Sequence, residues 1–365
     1  VISRSITDFC YFESNKKKIV LPSPNIDVSF IESEFDKISI YSKFLNEEQI
    51  YFLKNLFILL KADESIQDLI NYLKKDRILS MSDMNQLVLV TEVIFKIHDA
   101  FKNTEITEMT NIKLLDFQHF KKFFLREFRY LVDEKGHVNF DRHPQLLAIN
   151  KKIIDIEEKI RFHIAEVSKS SQFSGKLQFE SFDIINERYC IPVKSDSFQG
   201  SMGSIVAKSE SGHTLFVEPF VLRPYNQKRL DFLSQREEII NQLTLQFTKK
   251  LRPYSSLIFE SFNIIKNIDF YMGKTSFCHH WKLERPIIKK TPGFKFYKLF
   301  HPLISNPVSN DIHCHMDHLG VVISGPNTGG KTVFLKSIAI SYLLFSHGFY
   351  VPAQEAELFP YQSLF

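Results

Sequence analysis

Apolar residues recur at helical spacing through the first part of the chain. Ile50, Leu53, Phe57 and Leu60 follow Asn46, a residue suited to cap a helix. Leu87, Val90, Ile94, Ile97 and Phe101 form one stripe behind Ser82, which the spacing assigns as the cap of another helix. Pro22 and Pro24 mark an extended segment ahead of both, because a proline pushes the residue before it out of helical geometry. From Leu146 the pattern tightens. Leu146, Ile149, Ile153, Ile156, Ile160, Ile164 and Val167 step almost alternately by three and four, the seam of a long helix lying on a partner. Glu157, Glu158, Lys159 and Arg161 fall off that seam. A second long run carries Leu230, Leu233, Ile240, Leu243, Phe247 and Leu251 and stops before Pro253. Between the two runs the period drops to two. Strands are predicted at 189–194, with Pro192 marking an edge or bulge, and at 204–208 and 214–218, joined by a turn over 209–213 that contains Gly212. The pattern predicts two antiparallel helical arms, each ~20 residues and ~30 Å long, with a small β module at the tip. The plainer alternative is an ordinary helical hairpin with a decorated loop.

The last segment changes to an α/β pattern. An apolar strand is predicted at 319–324, a helix at 333–345, and a short strand at 349–351 before Pro352. Between the first strand and the helix stands GPNTGGKT: Gly325, Pro326, Asn327, Thr328, Gly329, Gly330, Lys331 and Thr332. It matches the phosphate-loop pattern G-x-x-x-x-G-K-[ST] in full and in the strand–loop–helix context that pattern requires. Glycines let the backbone curl so that its N–H groups face phosphate oxygens, and the helix N-terminus adds partial positive charge. Lys331 is expected to reach the β- and γ-phosphates of ATP, and the Thr332 hydroxyl to ligate Mg²⁺. The alternative is a glycine-rich turn that matches by accident. An ATPase also needs an acidic residue at the end of a second strand to hold Mg²⁺. After Thr332 only Glu355 and Glu357 remain, in a segment read as loop. The expectation is therefore a fragment cut inside its ATPase domain that hydrolyses ATP weakly or not at all.

Composition narrows the class. With 365 residues, 44% hydrophobic and 24% charged, the chain has ample material for two or three globular domains. A net charge of +4 permits a local nucleic-acid surface without arguing for one. Its basic runs, such as Lys16 to Lys18 and Lys249 with Lys250, read first as solvated faces. Four scattered cysteines without CxxC spacing fit a reducing, cytoplasmic setting. No apolar run is long enough to span a bilayer, so no membrane partner is expected. The fold class expected is mixed: a mainly α-helical core and lever region with a small β clamp-like insertion, then a partial α/β P-loop ATPase domain. The boundaries expected are a helical core over 1–145, arms over 146–252 with the β module at about 186–220, a helical return and linker over 253–290, and the ATPase part over 291–365.

GPNTGGKT resembles the phosphate loop of the MutS family, and the Thr after Asn is similar to its second bacterial subfamily, MutS-two. Further segments agree in order. HPLI from His301, NDI from Asn310 and GFYVPA from Gly348 resemble the family's ATPase region. RYCIPVK from Arg188, SGHTLFVEP from Ser211 and VDEKGHVNFDRHPQLLAI from Val132 resemble the MutS-two arms and the segment between them. The likeness covers most of the chain from Val132 onward; before it, only helical character matches. It implies a lever of long helices carrying a clamp and joined to an ATPase that is a homodimer in the full-length protein. It also implies ATP-gated binding of duplex or branched DNA during recombination, repair or mismatch handling. The alternative it implies is an ATP-dependent ribosome-binding factor that splits collided ribosomes. A third possibility is a truncated homologue with structural roles only. The family's acidic Mg²⁺ motif, its signature segment and a C-terminal nuclease domain are absent from this sequence, so no catalytic residue and no nuclease activity are assigned.

Other constellations are weaker. Cys278, His279 and His280, and His313, Cys314, His315 and His318, lack structural-zinc spacing and read as ordinary histidines and cysteines. Ser211, Gly212 and His213 read as hairpin residues, not a catalytic pair. Phe123, Phe124 and Phe128 could stack on bases but at that spacing read as core.

Overall fold

In a computed structural model of the chain, the described residues are 6–18, 26–102, 104–106, 114–315, 317, 320–326 and 329–361. In chain order the main elements are α1 (Val28–Phe44), α2 (Glu47–Ile58), α3 (Asp63–Lys74), α4 (Met81–Ala100) and α5 (Pro144–Lys169). Strands β1 (Asp183–Ile185), β2 (Arg188–Lys194), β3 (Gly203–Lys208) and β4 (Thr214–Pro219) follow, then α6 (Arg223–Leu251) and α7 (Ser255–His280). The chain closes with β5 (Ile287–Ile288), β6 (Gly293–Leu299), β7 (Asn310–His315), α8 (Lys331–Ser346) and β8 (Glu355–Leu358). The protein is mixed helix and sheet, with two four-stranded sheets among the described residues. Its contacts divide into two compact units. One holds Val1–Lys75, Gln86–Phe120 and Tyr254–Phe365; the other holds Asp76–Asn85 and Lys121–Pro253.

In the second unit, the α5 seam is buried as its period predicts: Leu146, Ile149, Ile153, Ile156, Ile160 and Ile164 all face inward. Pro144 stands in the first turn, where its missing N–H costs nothing. The β module forms a sheet in the order β1-β2-β4-β3, antiparallel throughout, with a bulge in β3 between Ile205 and Ala207. Ile160 and Ile164 of α5 pack with Tyr189, Ile191, Val193, Leu215 and Val217 in one apolar cluster, so helix and sheet share a core. Gly203 is required there, because a Cβ would meet the Glu218 carbonyl. The α6 seam differs from its prediction. Leu230, Leu233, Ile240 and Leu243 are only half-buried, while Asn226 and Arg229 are buried. The reason is polar: Asn226 exchanges hydrogen bonds with the Tyr189 backbone (3.0 and 3.1 Å) and donates to Glu218 at 2.9 Å. The start of α6 is thus fastened to the sheet through hydrogen bonds. Phe124 and Phe128 stack at 5.4 Å and both meet Phe247 edge-on, which makes them core; Phe123 is exposed.

The cap of α4 is Ser80, not Ser82. The Ser80 hydroxyl accepts from the Asp83 N–H at 3.1 Å and donates to the Asp83 carboxylate at 2.8 Å. Ser80 and Asp83 have the spacing of a capping pair, which starts the helix two residues earlier.

In the first unit, Asn46 caps α2 as predicted, with reciprocal Asn46–Gln49 bonds of 2.9 Å. The second sheet runs β5-β8-β6-β7; only β5 and β8 are parallel. Its inner face (Phe296, Leu299, Ile312, Ala356, Leu358) packs on Tyr342 and Phe345 of α8 and on Ile31 and Phe35 of α1. Three expectations fail here. Residues 320–324 form no strand, and Val322 is 92% exposed. A strand needs a hydrogen-bonding neighbour, and no described strand lies beside this one. Residues 349–351 form no strand either: Phe349 and Val351 turn into the core, and Val351 makes only a single bridge to Glu284. Pro352 has no N–H for a ladder. The strand starts after it, and Glu355 and Glu357 lie in β8 where a loop is expected.

Candidate functional site at the glycine-rich turn

The helix predicted after GPNTGGKT forms as α8, beginning at Lys331. Gly330 precedes it with φ +80°, a left-handed conformation in which a side chain would be strained, and no side chain caps the helix. Gly325 also needs glycine, at φ +152°. Among the described residues a Cβ at Gly325 or Gly330 would meet nothing within 4 Å, so these glycines serve the backbone turn. Gly329 is different. Its N–H donates to the Pro326 carbonyl at 2.9 Å, and a Cβ there would crowd the same oxygen at 3.0 Å. Asn327 and Thr328 lie outside the described residues.

Lys331 donates its ammonium to the Gly325 carbonyl, so one side chain closes the turn from end to end. The first N–H groups of α8 have no partner within the helix, as at every helix start, and Gly330 already accepts from Phe334 N at 2.9 Å. Thr332 is exposed on this first turn. An anion beside the turn would thus find backbone donors, the positive end of a helix and a lysine that exchanges one oxygen for another. Among the described residues, no group of three His, Cys, Asp or Glu is placed to hold a metal.

His301, the first residue of HPLI, lies near α8. Burial and the Lys336 ammonium push its pKa below the ordinary histidine value, favouring the neutral ring. Its Nδ1 accepts from Leu303 N at 3.3 Å. His313 and His315 sit on one face of β7 with rings 5.6 Å apart, and Cys278 is buried, its thiol pushed up to about 12 by burial. Ser211 and His213 flank the β3–β4 turn, where Gly212 takes φ +77°.

One charged group escaped sequence reasoning. Beneath the C-terminal end of α8, Lys274 of α7 lies buried, 2.7 Å from Glu34 of α1, and also donates to the His347 carbonyl at 3.2 Å. Tyr271 and Lys37 donate to the other Glu34 oxygen at 2.7 and 2.9 Å. Burial raises the Glu34 pKa, but the Lys274 charge and these donors outweigh it, so the carboxyl is held below its ordinary value. Burial pulls Lys274 down against the attraction of Glu34. Gly348 takes φ +68° to end α8, and a Cβ there would collide with the Glu34 side chain.

A two-unit protein of helices and small sheets, with a glycine-rich turn opening a helix, is the class defined so far. No family model matches the chain. Curated relatives do. It is 35% identical over 228 residues to "Endonuclease MutS2" of Ligilactobacillus salivarius, covering 61% of this chain and 29% of the relative. It is 30% identical over 233 residues to "Putative endonuclease MutS2" of Bacillus subtilis (63% and 30%), and 30% over 238 to "Endonuclease MutS2" of Bacillus cytotoxicus (64% and 30%). The chain thus resembles the MutS2 type of the MutS family. It spans about three-tenths of the length of these relatives.

Proposed function

We propose that this chain is the part of a MutS2-type protein that binds ATP with Mg²⁺ at 325–332 and lets ATP gate its hold on DNA. The observation that carries the reading is the left-handed Gly330 opening α8 with Lys331 drawn back onto Gly325. Backbone N–H groups of the turn would hold the phosphates, Lys331 would leave Gly325 for their oxygens, and the Thr332 hydroxyl would help hold Mg²⁺. Bound Mg²⁺ supplies charge neutralisation of the triphosphate. The DNA is duplex or branched, of the kind met in recombination and repair, and α5, α6 and the β module carry the contact. The full-length protein acts as a homodimer. The relatives' printed name is that of an endonuclease; nuclease chemistry is not part of this reading, because no residue here is assigned to it. Among the described residues no helix is long and apolar enough to cross a membrane.

The test is duplex and branched DNA binding across a salt series, with and without ATP. The reading predicts a steep salt slope and an affinity that shifts when ATP is added. Equal DNA affinity with and without ATP contradicts the gating.

A further inference from the structure

Residues 121–131 and 247–252 meet in the second unit through an aromatic core. Phe124 and Phe128 are buried, and both meet the Phe247 ring edge-on, at 6.0 and 5.4 Å. Lys250 closes the join from outside, donating to both carboxylate oxygens of Glu127 at 2.7 Å. Two basic runs that are remote in sequence thereby come side by side. Together the two segments hold seven lysines and arginines against one acid, Glu127, and Asp76 pairs with Arg252 at 2.7 Å. The local excess is five positive charges, where the whole chain carries +4. Lys122, Arg126 and Lys249 are exposed and, among the described residues, make no ion pair.

Aromatic rings are interleaved with these cations. Lys121–Leu125 form one π-helical turn that runs on as the helix Arg126–Leu131. Such turns are rare inside helices and recur at functional sites. Phe124 and Phe128 point inward, but Phe123 stays outside and is 52% exposed. Two turns further along the same stripe, ~10 Å away, Tyr130 is 60% exposed. Each ring carries a cation over its face: Lys122 is 5.1 Å from the Phe123 centroid, and Arg142 is 5.5 Å from that of Tyr130. Arg142 is fixed there by donating to the Tyr130 carbonyl at 3.1 Å. The core that joins the two segments uses neither ring. Exposed rings are unfavourable in water and suit a partner that offers flat apolar faces beside negative charge. Unpaired nucleotides have both, whereas in a duplex the base faces are stacked inside.

We propose that this face of the second unit is a contact for single-stranded nucleic acid. Bases stack on Phe123 and Tyr130, and Lys122, Arg126 and Lys249 take the phosphates. The proposal rests on the DNA reading above and adds to it the place where an unpaired strand of a branched substrate lies.

The test uses the 365-residue chain with a labelled oligothymidylate and, separately, a duplex, each across a salt series. Phe123→Ala/Tyr130→Ala is expected to weaken oligothymidylate binding ~10-fold or more with the salt slope kept, because stacking is lost and charge is not. Duplex affinity should stay as it was. Lys122→Gln/Lys249→Gln is expected to lower the oligothymidylate slope by roughly 1.4, the share of two phosphates on a single strand. Lys16→Gln/Lys17→Gln, in the basic run of the first unit, should leave that slope unaltered. All six side chains lie at the surface or partly so, and an unaltered melting temperature confirms each fold. Equal weakening of duplex and single strand by the aromatic pair contradicts base stacking. Unchanged affinity and slope in both folded pairs places the contact elsewhere and overturns the proposal, leaving the DNA reading intact. Absence of any nucleic-acid binding by the unaltered chain overturns that reading and this proposal with it.

Discussion

The two units secure their helices with ion pairs of contrasting burial. In the first, Lys274 and Glu34 are 1% and 6% exposed, and the pair fastens α7, α1 and the end of α8. In the second, Arg229 of α6 is 9% exposed, but its partners Glu157 of α5 and Glu187 of the β1–β2 turn are 22% and 66% exposed. Water can therefore reclaim the acids around Arg229 if the arginine is removed, whereas Glu34 would stay buried with only Tyr271 and Lys37 as donors. The lesson is that the cost of losing a charge depends on what it leaves behind.

The sharpest break in this comparison is Lys274→Met. It leaves the buried Glu34 carboxylate to Tyr271 and Lys37 alone and is expected to cost about 3–4 kcal/mol in a urea melt, while adding Glu34→Gln recovers part of the loss. Next comes the apolar core of the second unit. Ile160→Ala removes a fully buried side chain between α5 and the β module and is expected to cost about 3 kcal/mol, read as a lower denaturation midpoint. Arg229→Met should cost less, about 1–2 kcal/mol, because its partners rehydrate. An arginine loss as large as the lysine loss would erase the contrast.

The smallest effects are those of pH. Glu34 has its folded pKa held below the ordinary 4.5, so its stabilising contribution is present above that value and is lost as pH falls through the folded pKa. Asp269 has the opposite sign. Buried in α7, it accepts from Tyr11 N and Phe12 N at 2.7 and 3.1 Å and from Asn15 at 2.7 Å, yet burial outweighs these donors and raises its pKa above 3.8. The folded state therefore gains relative stability as pH falls from that raised value towards 3.8. Asp269→Asn is expected to remove this gain and steepen acid unfolding, which denaturation curves between neutral and acid pH would register.

What could be read from the sequence follows the same physics. The α5 seam and the β2, β3 and β4 strands were legible because a helix and a hairpin satisfy most of their hydrogen bonds locally. The run before the turn was not, because a strand at 320–324 requires neighbours that its own residues cannot announce. On α6 the apolar spacing was a poor guide, since Asn226 and Arg229 are buried by their polar partners in β2, β4 and α5. At the candidate site, the glycines and Lys331 were named from the pattern alone, and φ +80° at Gly330 supplies a physical reason for its glycine. The Lys274–Glu34 pair brings together residues 240 positions apart, and no local pattern carries that information.

The account turns on whether residues 325–332 cradle a triphosphate, and binding of a fluorescent ATP analogue to Lys331→Ala reports on this directly. The expected result is an affinity reduced about 100-fold or more, with a circular dichroism spectrum and melting temperature like those of the unaltered chain. An unaltered affinity in the folded variant would contradict it.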